Sequence, residues 1–225
     1  MISLVRNIDC MVGMAEFPDK FFDLAIVDPP YGIGAGSVSF KNGTSKSKKE
    51  YYRISDWDIN KPTHSYFIEL FRVSKNQIIW GGNYFPQLWK SVCRGFIFWD
   101  KTIHGNSYAD GELAWTSFDV PARYLRENIA QTNIEGRIHP TQKSIKLYKW
   151  LLTNYAKPGD KILDTHLGSG SSRIAAHDLG FDFWGFELDK DYFEAAEERY
   201  QKHIAQQVLP LEIERPNYEQ TQIEL

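Results

Sequence analysis

The sequence predicts an α/β protein: an open, doubly wound, mostly parallel sheet with helices on both faces. Apolar runs of strand length alternate with segments of helical periodicity along most of the chain, the signature of strand–helix–strand units. Two of those runs end in polar motifs, Asp28-Pro29-Pro30-Tyr31 and Asp164 followed by Gly168-Ser169-Gly170. Folds of this class gather their ligands beyond the carboxyl ends of the strands, which is where both motifs fall.

Taken in order, Leu24–Val27 is a short, continuous apolar run and reads as a strand buried on both faces. Tyr66, Phe67, Leu70 and Phe71 then recur at helical spacing. Gln77–Trp80 and Phe96–Trp99 read as further strands. Leu147, Trp150, Leu151 and Tyr155 mark a second helix, and Lys161–Leu163 the next strand. A helical run over Arg173–Leu179 leads into the strand Phe183–Phe186. A last helix runs from about Asp191 to Gln206, with Tyr192, Ala195, Ala196 and Tyr200 on one face. The reading places a single catalytic domain over residues 1–207 and an extended or disordered acidic tail over 208–225. No internal repeat is present.

Composition narrows the class. The chain has 225 residues, enough for one domain with a large core, and 15% aromatic residues, more than a disordered chain carries. A net charge of −3 argues against a generally basic nucleic-acid coat but leaves room for a local patch. Cys10 and Cys93 are the only cysteines, too few for a disulfide framework, so reduced thiols and a cytoplasmic protein are expected. No apolar stretch approaches the ~18 residues of a membrane span, and no membrane partner is expected. No His/Cys/Asp cluster has metal-ligand spacing, so no metal is expected either.

The first motif carries the chemistry. Each proline fixes φ and lacks an N–H, which leaves the turn's carbonyls directed outward without a competing donor. An amino group on a planar ring could give its hydrogens to Asp28 and the Pro29 carbonyl while the ring stacks on Tyr31. On its own, Asp28-Pro29-Pro30-Tyr31 equally fits a strand-ending turn.

The second motif is strand, glycine-rich turn, helix N-terminus: Lys161 to Ser172, with Gly168 and Gly170 in the turn. Glycines permit tight turns and close backbone approach to a nucleotide-like cofactor. The full G-x-G-x-x-G spacing and the P-loop lysine are both missing. Glu187 ends the following strand, at an offset suited to ribose hydroxyls. A ribose site without a phosphate cradle suits S-adenosylmethionine. Gly-Ser-Gly also makes ordinary turns, and His139-Pro140-Thr141 by itself fits a loop and helix cap.

Together the motifs resemble the amino-methyltransferases of DNA, which methylate N6 of adenine or N4 of cytosine. The order, catalytic motif first and cofactor glycines later, is similar to the permuted β group of that family. His139-Pro140-Thr141-Gln142-Lys143, Trp80-Gly81-Gly82-Asn83 and Ile8-Asp9-Cys10 agree with it, and the likeness spans about residues 5–205. The resemblance implies a Rossmann-like, S-adenosylmethionine-dependent methyltransferase fold in permuted order, with DNA as partner and a homodimer admitted. It implies that Asp28 and Pro29 accept from the target amine and that Tyr31 stacks on a flipped base, on a turn that Pro29 and Pro30 stiffen by their fixed φ. Asp164, Gly168 and Gly170 would line the cofactor's methionine end, with Thr141 and Lys143 near its carboxylate. Glu187 would hold the ribose and Asp9 the adenine amine. One departure stands out: the family usually has Pro-Phe where Thr165-His166 stands here, which bears on packing against the cofactor.

Asp28 favours adenine, since N4-cytosine members of the family more often carry Ser there; N4-cytosine is the alternative, and a non-catalytic nucleic-acid-binding partner that keeps the fold is another. RNA or protein-glutamine methylation more often starts its Pro-Pro-aromatic turn with Asn. Carbon-5 methylation would need a thiolate, usually within Pro-Cys, and neither cysteine follows a proline. Residues 32–53 hold Lys41, Lys46, Lys48, Lys49 and Arg53 against Glu50 alone. Lys46, Lys48 and Lys49 are the expected phosphate contacts of a segment that is mobile without DNA; a solvated loop is the plain alternative. Target specificity is not legible, because no recognisable DNA-reading module appears and residues 120–138 are too short for a separate domain.

Overall fold

The computed structural model describes residues 1–34, 58, 61–89, 94–103, 105, 109–128 and 130–208. Within them the chain runs β1 (Ser3–Asn7), α1 (Cys10–Ala15), β2 (Phe22–Val27), α2 (His64–Val73), β3 (Ser74–Trp80), β4 (Phe96–Asp100), β5 (Gly111–Thr116) and β6 (Arg123–Arg126). It continues through α3 (Ala130–Ile134), α4 (Ile145–Tyr155), β7 (Lys161–Asp164), α5 (Ser171–Asp178), β8 (Asp182–Glu187) and α6 (Lys190–Val208). Residues 208–225 lie almost wholly outside the described residues, as do Lys46, Lys48 and Lys49.

The described strands form one sheet in the order β1-β8-β7-β2-β3-β5-β4-β6. From β1 through β3 every pairing is parallel, β5 runs antiparallel to both of its neighbours, and β6 pairs parallel to β4. The chain leaves β7 toward β8 on one side and leaves β2 toward β3 on the other. The boundary between β7 and β2 is therefore the topological switch point, where the flanking helices diverge and a crevice opens.

Both faces of the central strands are buried, as alternation along β2 shows. Leu24 and Ile26 join Ile78, Trp80 and Ile162 under Leu147 and Leu151 of α4 and Ala175 of α5. Ala25 and Val27 point the other way, with Ile79 and Leu163, against Tyr66, Phe67 and Leu70 of α2. Burying a single large aliphatic side chain from these layers stabilises by about 1.5–3 kcal/mol. On the same face as α2, Gly13 lets α1 lie flat on β8, since a Cβ there would meet the Phe186 ring at 2.6 Å.

All five expected strands and all four expected helices form, mostly one to three residues longer than their apolar runs. The β3 strand starts at Ser74, immediately after α2, because Ser74 Oγ donates to Leu70 O and Gln77 Nε2 donates to Ser74 O. Five elements had no counterpart in the sequence reading: β1, α1, β5, β6 and α3. No helix among the described residues is long and apolar enough to cross a membrane.

Candidate active site

The β2–β7 register pairs Leu24 with Ile162 and Ala25 with Leu163. The same register carried forward sets Asp28 at the level of His166, so the two motifs meet at adjacent strand ends. The β2–β3 pairing of Val27 with Ile79 brings the Trp80-Gly81-Gly82-Asn83 segment up beside the Asp28 turn.

Asp28 leaves the strand with its side chain 17% exposed. The hydroxyl of Tyr31 donates to its Oδ1 at 2.5 Å, and Lys143 Nζ donates to its Oδ2 at 2.5 Å. Lys143 is itself buried and sits 2.9 Å from Glu112 Oε2, while Lys101 Nζ lies 2.5 Å from Glu112 Oε1. Burial pushes the Asp28 carboxyl upward; the Lys143 ammonium pulls it back and Glu112 opposes that pull, leaving it above its ordinary range. Burial lowers Lys143, but the two carboxylates more than restore it, so it stays charged. Burial raises Tyr31 and the neighbouring Asp28 charge raises it further, so its hydroxyl remains a donor.

The turn after Asp28 is pinned by a carboxylate that sequence reasoning missed. Asp58, 1% exposed, accepts from the N–H groups of Tyr31 (2.5 Å), Gly32 (3.0 Å) and Ile33 (3.3 Å). The Tyr31 ring stacks on Tyr84, centroids 4.9 Å apart and planes 15° from parallel. It also lies directly on Gly81, whose φ of +66° and lack of Cβ are both required: a Cβ would meet the ring at 2.2 Å. Tyr84 also lines a cavity of about 440 Å³ together with Lys61, His64, Phe85 and Gln87.

On the β7 side, Asp164 is buried and holds both ends of the glycine turn. Its Oδ2 accepts from Ser172 Oγ at 2.6 Å and its Oδ1 from the His166 N–H at 3.0 Å. Burial lifts its carboxyl to about 7. Gly168 and Gly170 have φ of +52° and +72°, the left-handed region that favours glycine. Glu187, at the end of β8, accepts from Gly168 N at 2.7 Å and Asp189 N at 2.9 Å, and burial raises its carboxyl. Asp9 caps α1 by accepting from Met11 N at 2.7 Å, and follows the strand that pairs Asn7 with Glu187. Asp9, Gly168 and Glu187 thus gather at the carboxyl ends of β1, β7 and β8, and Asp28 ends the next strand over, β2.

The segment before α4 divides between the two halves. His139 packs edge-on to Tyr192, centroids 4.4 Å apart, and its ring lies 3.9 Å from the position of a Cβ on Gly168. Burial drops its imidazole to about 3, so it is neutral at pH 7. Thr141 Oγ1 and its N–H both contact His139 Nδ1, at 3.2 and 3.4 Å. Lys143 Nζ donates to Asp28 Oδ2 and also acts on His139 as a nearby positive charge that lowers its imidazole. Arg199, also unforeseen, donates to Ser169 O at 2.9 Å and Ser171 Oγ at 2.8 Å, with Glu135 3.4 Å away. It ties α6 to the glycine turn.

The carboxylates of Asp9 and Glu187 at these strand ends suit a cationic, ribose-bearing cofactor. No group of three or more His, Cys, Asp or Glu among the described residues could hold a metal ion. Parallel strands β1 through β3, the antiparallel β5 and the paired strand ends define a Rossmann-like methyltransferase fold. The comparisons agree. The family described as DNA methylase matches residues 79–198, over half of the chain, and the chain belongs to that family. It is 25% identical to the type II methyltransferase M.HinfI of Haemophilus influenzae over 243 residues, covering 85% of this chain and 66% of that one. Among solved structures it is similar to the M1.HpyAVI–SAM complex, with TM-score 0.59 and 21% identity over 88% of this chain and 100% of that one. It is also similar to the PvuII DNA methyltransferase (cytosine-N4-specific), with TM-score 0.60 and 11% identity over 91% of each.

Proposed function

We propose that residues 1–207 form a catalytic domain that transfers a methyl group from S-adenosylmethionine to the N6 amine of an adenine flipped out of DNA. The observation that carries this reading is the carboxylate of Asp28 at the end of β2, one strand away from the glycine turn of β7. An aromatic exocyclic amine is a poor nucleophile because its lone pair is delocalised into the ring. Hydrogen bonds from its two N–H groups to Asp28 and the Pro29 carbonyl favour a pyramidal nitrogen with a localised pair. A fixed carboxylate in a water-poor site then stabilises the positive charge that develops on that nitrogen. Pro30 keeps the turn rigid, and Tyr31, already ordered against Tyr84 and Gly81, supplies the flat face for the base.

When bound, S-adenosylmethionine supplies an electrophilic methyl group on a sulfonium. Glu187 would bind its ribose, Asp9 its adenine amine, and Asp164, Gly168 and Gly170 would shape the turn against its methionine end, with Thr141 nearby. Lys46, Lys48 and Lys49 would engage DNA phosphates. Asp28 in place of Ser supports adenine. N4-cytosine is the second reading, favoured by the similarity of fold to a cytosine-N4-specific enzyme.

The test is incubation with labelled S-adenosylmethionine and unmethylated DNA, followed by nucleoside analysis. N6-methyladenine is the expected product, N4-methylcytosine would establish the second reading, and no labelled nucleoside would overturn both. Asp28→Ala should abolish transfer while cofactor affinity stays within about threefold.

A further inference from the structure

Four charges lie in a row leading away from the reactive turn: Asp28, Lys143, Glu112 and Lys101. Their links are 2.5 Å from Asp28 Oδ2 to Lys143 Nζ, 2.9 Å from Nζ to Glu112 Oε2, and 2.5 Å from Glu112 Oε1 to Lys101 Nζ. Only the first belongs to the reactive turn. Lys143 comes from the segment before α4, Glu112 from β5 and Lys101 from the residue after β4, so three separate parts of the chain join end to end behind Asp28. Lys143 is 2% exposed, and its ammonium also lies 4.9 Å from the centre of the Trp80 ring. A charge this deep, with two carboxylates and an aromatic face around it, is held there by the fold.

The arrangement raises a difficulty for amine methylation. Both oxygens of Asp28 already have donors, Tyr31 on Oδ1 and Lys143 on Oδ2. A carboxylate paired to an ammonium at 2.5 Å has little charge left for a cation forming on the substrate nitrogen, and the ammonium itself repels that cation. Glu112 offers the remedy, because it is a second seat for the same ammonium and is already in contact with it.

We propose that Lys143 is handed from Asp28 to Glu112 as the target amine arrives, and that Glu112 is therefore a positioning residue of the methyl-transfer step. This rests on the reading of Asp28 as the catalytic carboxylate. Before base entry Lys143 keeps Asp28 ionised and aimed. On base entry Glu112 takes the larger share of the ammonium, Asp28 Oδ2 turns to the amine N–H, and the negative charge of Asp28 faces the developing cation. Lys101 balances Glu112 from the far side, so the row of four stays neutral as a whole. No bond other than hydrogen bonds is made or broken in the exchange.

The titratable and charged groups facing Asp28 are Tyr31 of its own turn, Lys143, Glu112 of β5, Tyr148 of α4, Tyr66 of α2 and Asp164 of β7. Of these, Glu112 acts on Asp28 as a like charge that raises its carboxyl. The test is the pH dependence of the single-turnover methylation rate in the full chain with saturating S-adenosylmethionine. Glu112→Gln keeps the shape and an acceptor oxygen but removes the charge. The rate at pH 8 should fall at least tenfold, because Lys143 stays on Asp28. The acid limb should move down by about one pH unit, because Asp28 loses a like charge. Affinity for S-adenosylmethionine should stay within threefold.

Lys101→Met, a variant on the opposite side of Glu112, should move the acid limb upward, since Glu112 then competes harder for Lys143. It decides the matter on the same readout should Glu112→Gln fail to fold. A merely structural role would lower the rate and leave both limbs in place. Unmoved limbs in the folded variants, or a cofactor affinity that falls together with the rate in Glu112→Gln, overturn the proposal. An active Asp28→Ala would instead remove the reading beneath it, whereas a silent Asp28→Ala with an unmoved Glu112→Gln limb removes the proposal alone.

Discussion

Asp164→Asn should make the cofactor-free protein more stable at pH 8 than the unmodified protein, and the gain should shrink toward pH 4. The Asp164 carboxyl, 1% exposed, is lifted by burial from an ordinary 3.8 to about 7. Below about pH 4 it is protonated both folded and unfolded and has no effect on the balance. As pH rises from there to 7 the unfolded chain loses this proton while the folded protein keeps it, so stability falls across that window and then levels off. The full displacement corresponds to about 4 kcal/mol, at about 1.36 kcal/mol per pH unit. An Asn side chain keeps the geometry: its carbonyl accepts from the His166 N–H and its amide donates to Ser172 Oγ, whose hydroxyl can turn.

Two histidines act in the opposite direction, which dictates how the experiment is read. Burial takes His139 to about 3 and His166 to about 4. Each contributes stability above pH 6.5 that is lost as pH falls toward its folded value. The unmodified protein's profile is therefore a composite, and only the difference between it and Asp164→Asn isolates the aspartate. Thermal unfolding at pH 4, 5, 6, 7 and 8 measures that difference. A gain of about 4 kcal/mol is a ceiling of roughly 8–16 °C for a chain of this size. A melting-temperature difference that is the same at pH 5 and pH 8 would refute the reasoning, because Asp164 would then ionise in the fold as it does in the unfolded chain.

Three further outcomes are expected. Gly81→Ala forces a Cβ to 2.2 Å from the Tyr31 ring at a φ of +66°; it should cost about 1–3 kcal/mol in denaturant unfolding and lower methyl transfer far more than cofactor affinity. Glu187→Ala should weaken S-adenosylmethionine binding by about 1.5–3 kcal/mol, the worth of a hydrogen bond to a charged group, and unchanged calorimetric affinity would remove the ribose assignment. Neutralising Lys46, Lys48 and Lys49 together should weaken DNA binding at all sequences and flatten its log–log salt dependence by about 0.9 for each phosphate that a lysine no longer neutralises, with cofactor affinity untouched.

What the sequence discloses and what it hides divide along physical lines. Strands buried on both faces, such as Leu24–Val27, are continuous apolar runs and stand out. The edge strand β6 is Arg-Tyr-Leu-Arg with three exposed residues, and β5 mixes Glu112 with Trp115, so neither has a period to detect. Likewise, β1 is only half-buried along its length and α1 has six residues around Gly13, too short for a helical stripe to repeat. At the candidate site the motif segments stand out in sequence because prolines stiffen the backbone and glycines free it for left-handed turns. Asp58, Glu112 and Arg199 carry no such mark. Each acts through long-range contacts, 27, 31 and 30 residues from Tyr31, Lys143 and Ser169, and an isolated charged residue in sequence does not announce its partner.

The departure at Thr165-His166 is accommodated by the same physics that organises the rest of the crevice. Thr165 Oγ1 lies 2.7 Å from the Tyr66 hydroxyl and 2.9 Å from His166 Nδ1, so the polar atoms introduced here are satisfied by one another and by α2. The His166 ring meets Tyr66 edge-on at 5.5 Å. Burial keeps its imidazole at about 4, which leaves a neutral aromatic ring at pH 7. A cationic cofactor would be repelled by imidazolium at this point but not by imidazole. The family's aromatic side chain is thus replaced by another flat, uncharged one. The hydrogen-bonded Thr165–His166–Tyr66 group, with the His166 N–H on Asp164 Oδ1, fixes the start of the glycine turn one strand away from Asp28.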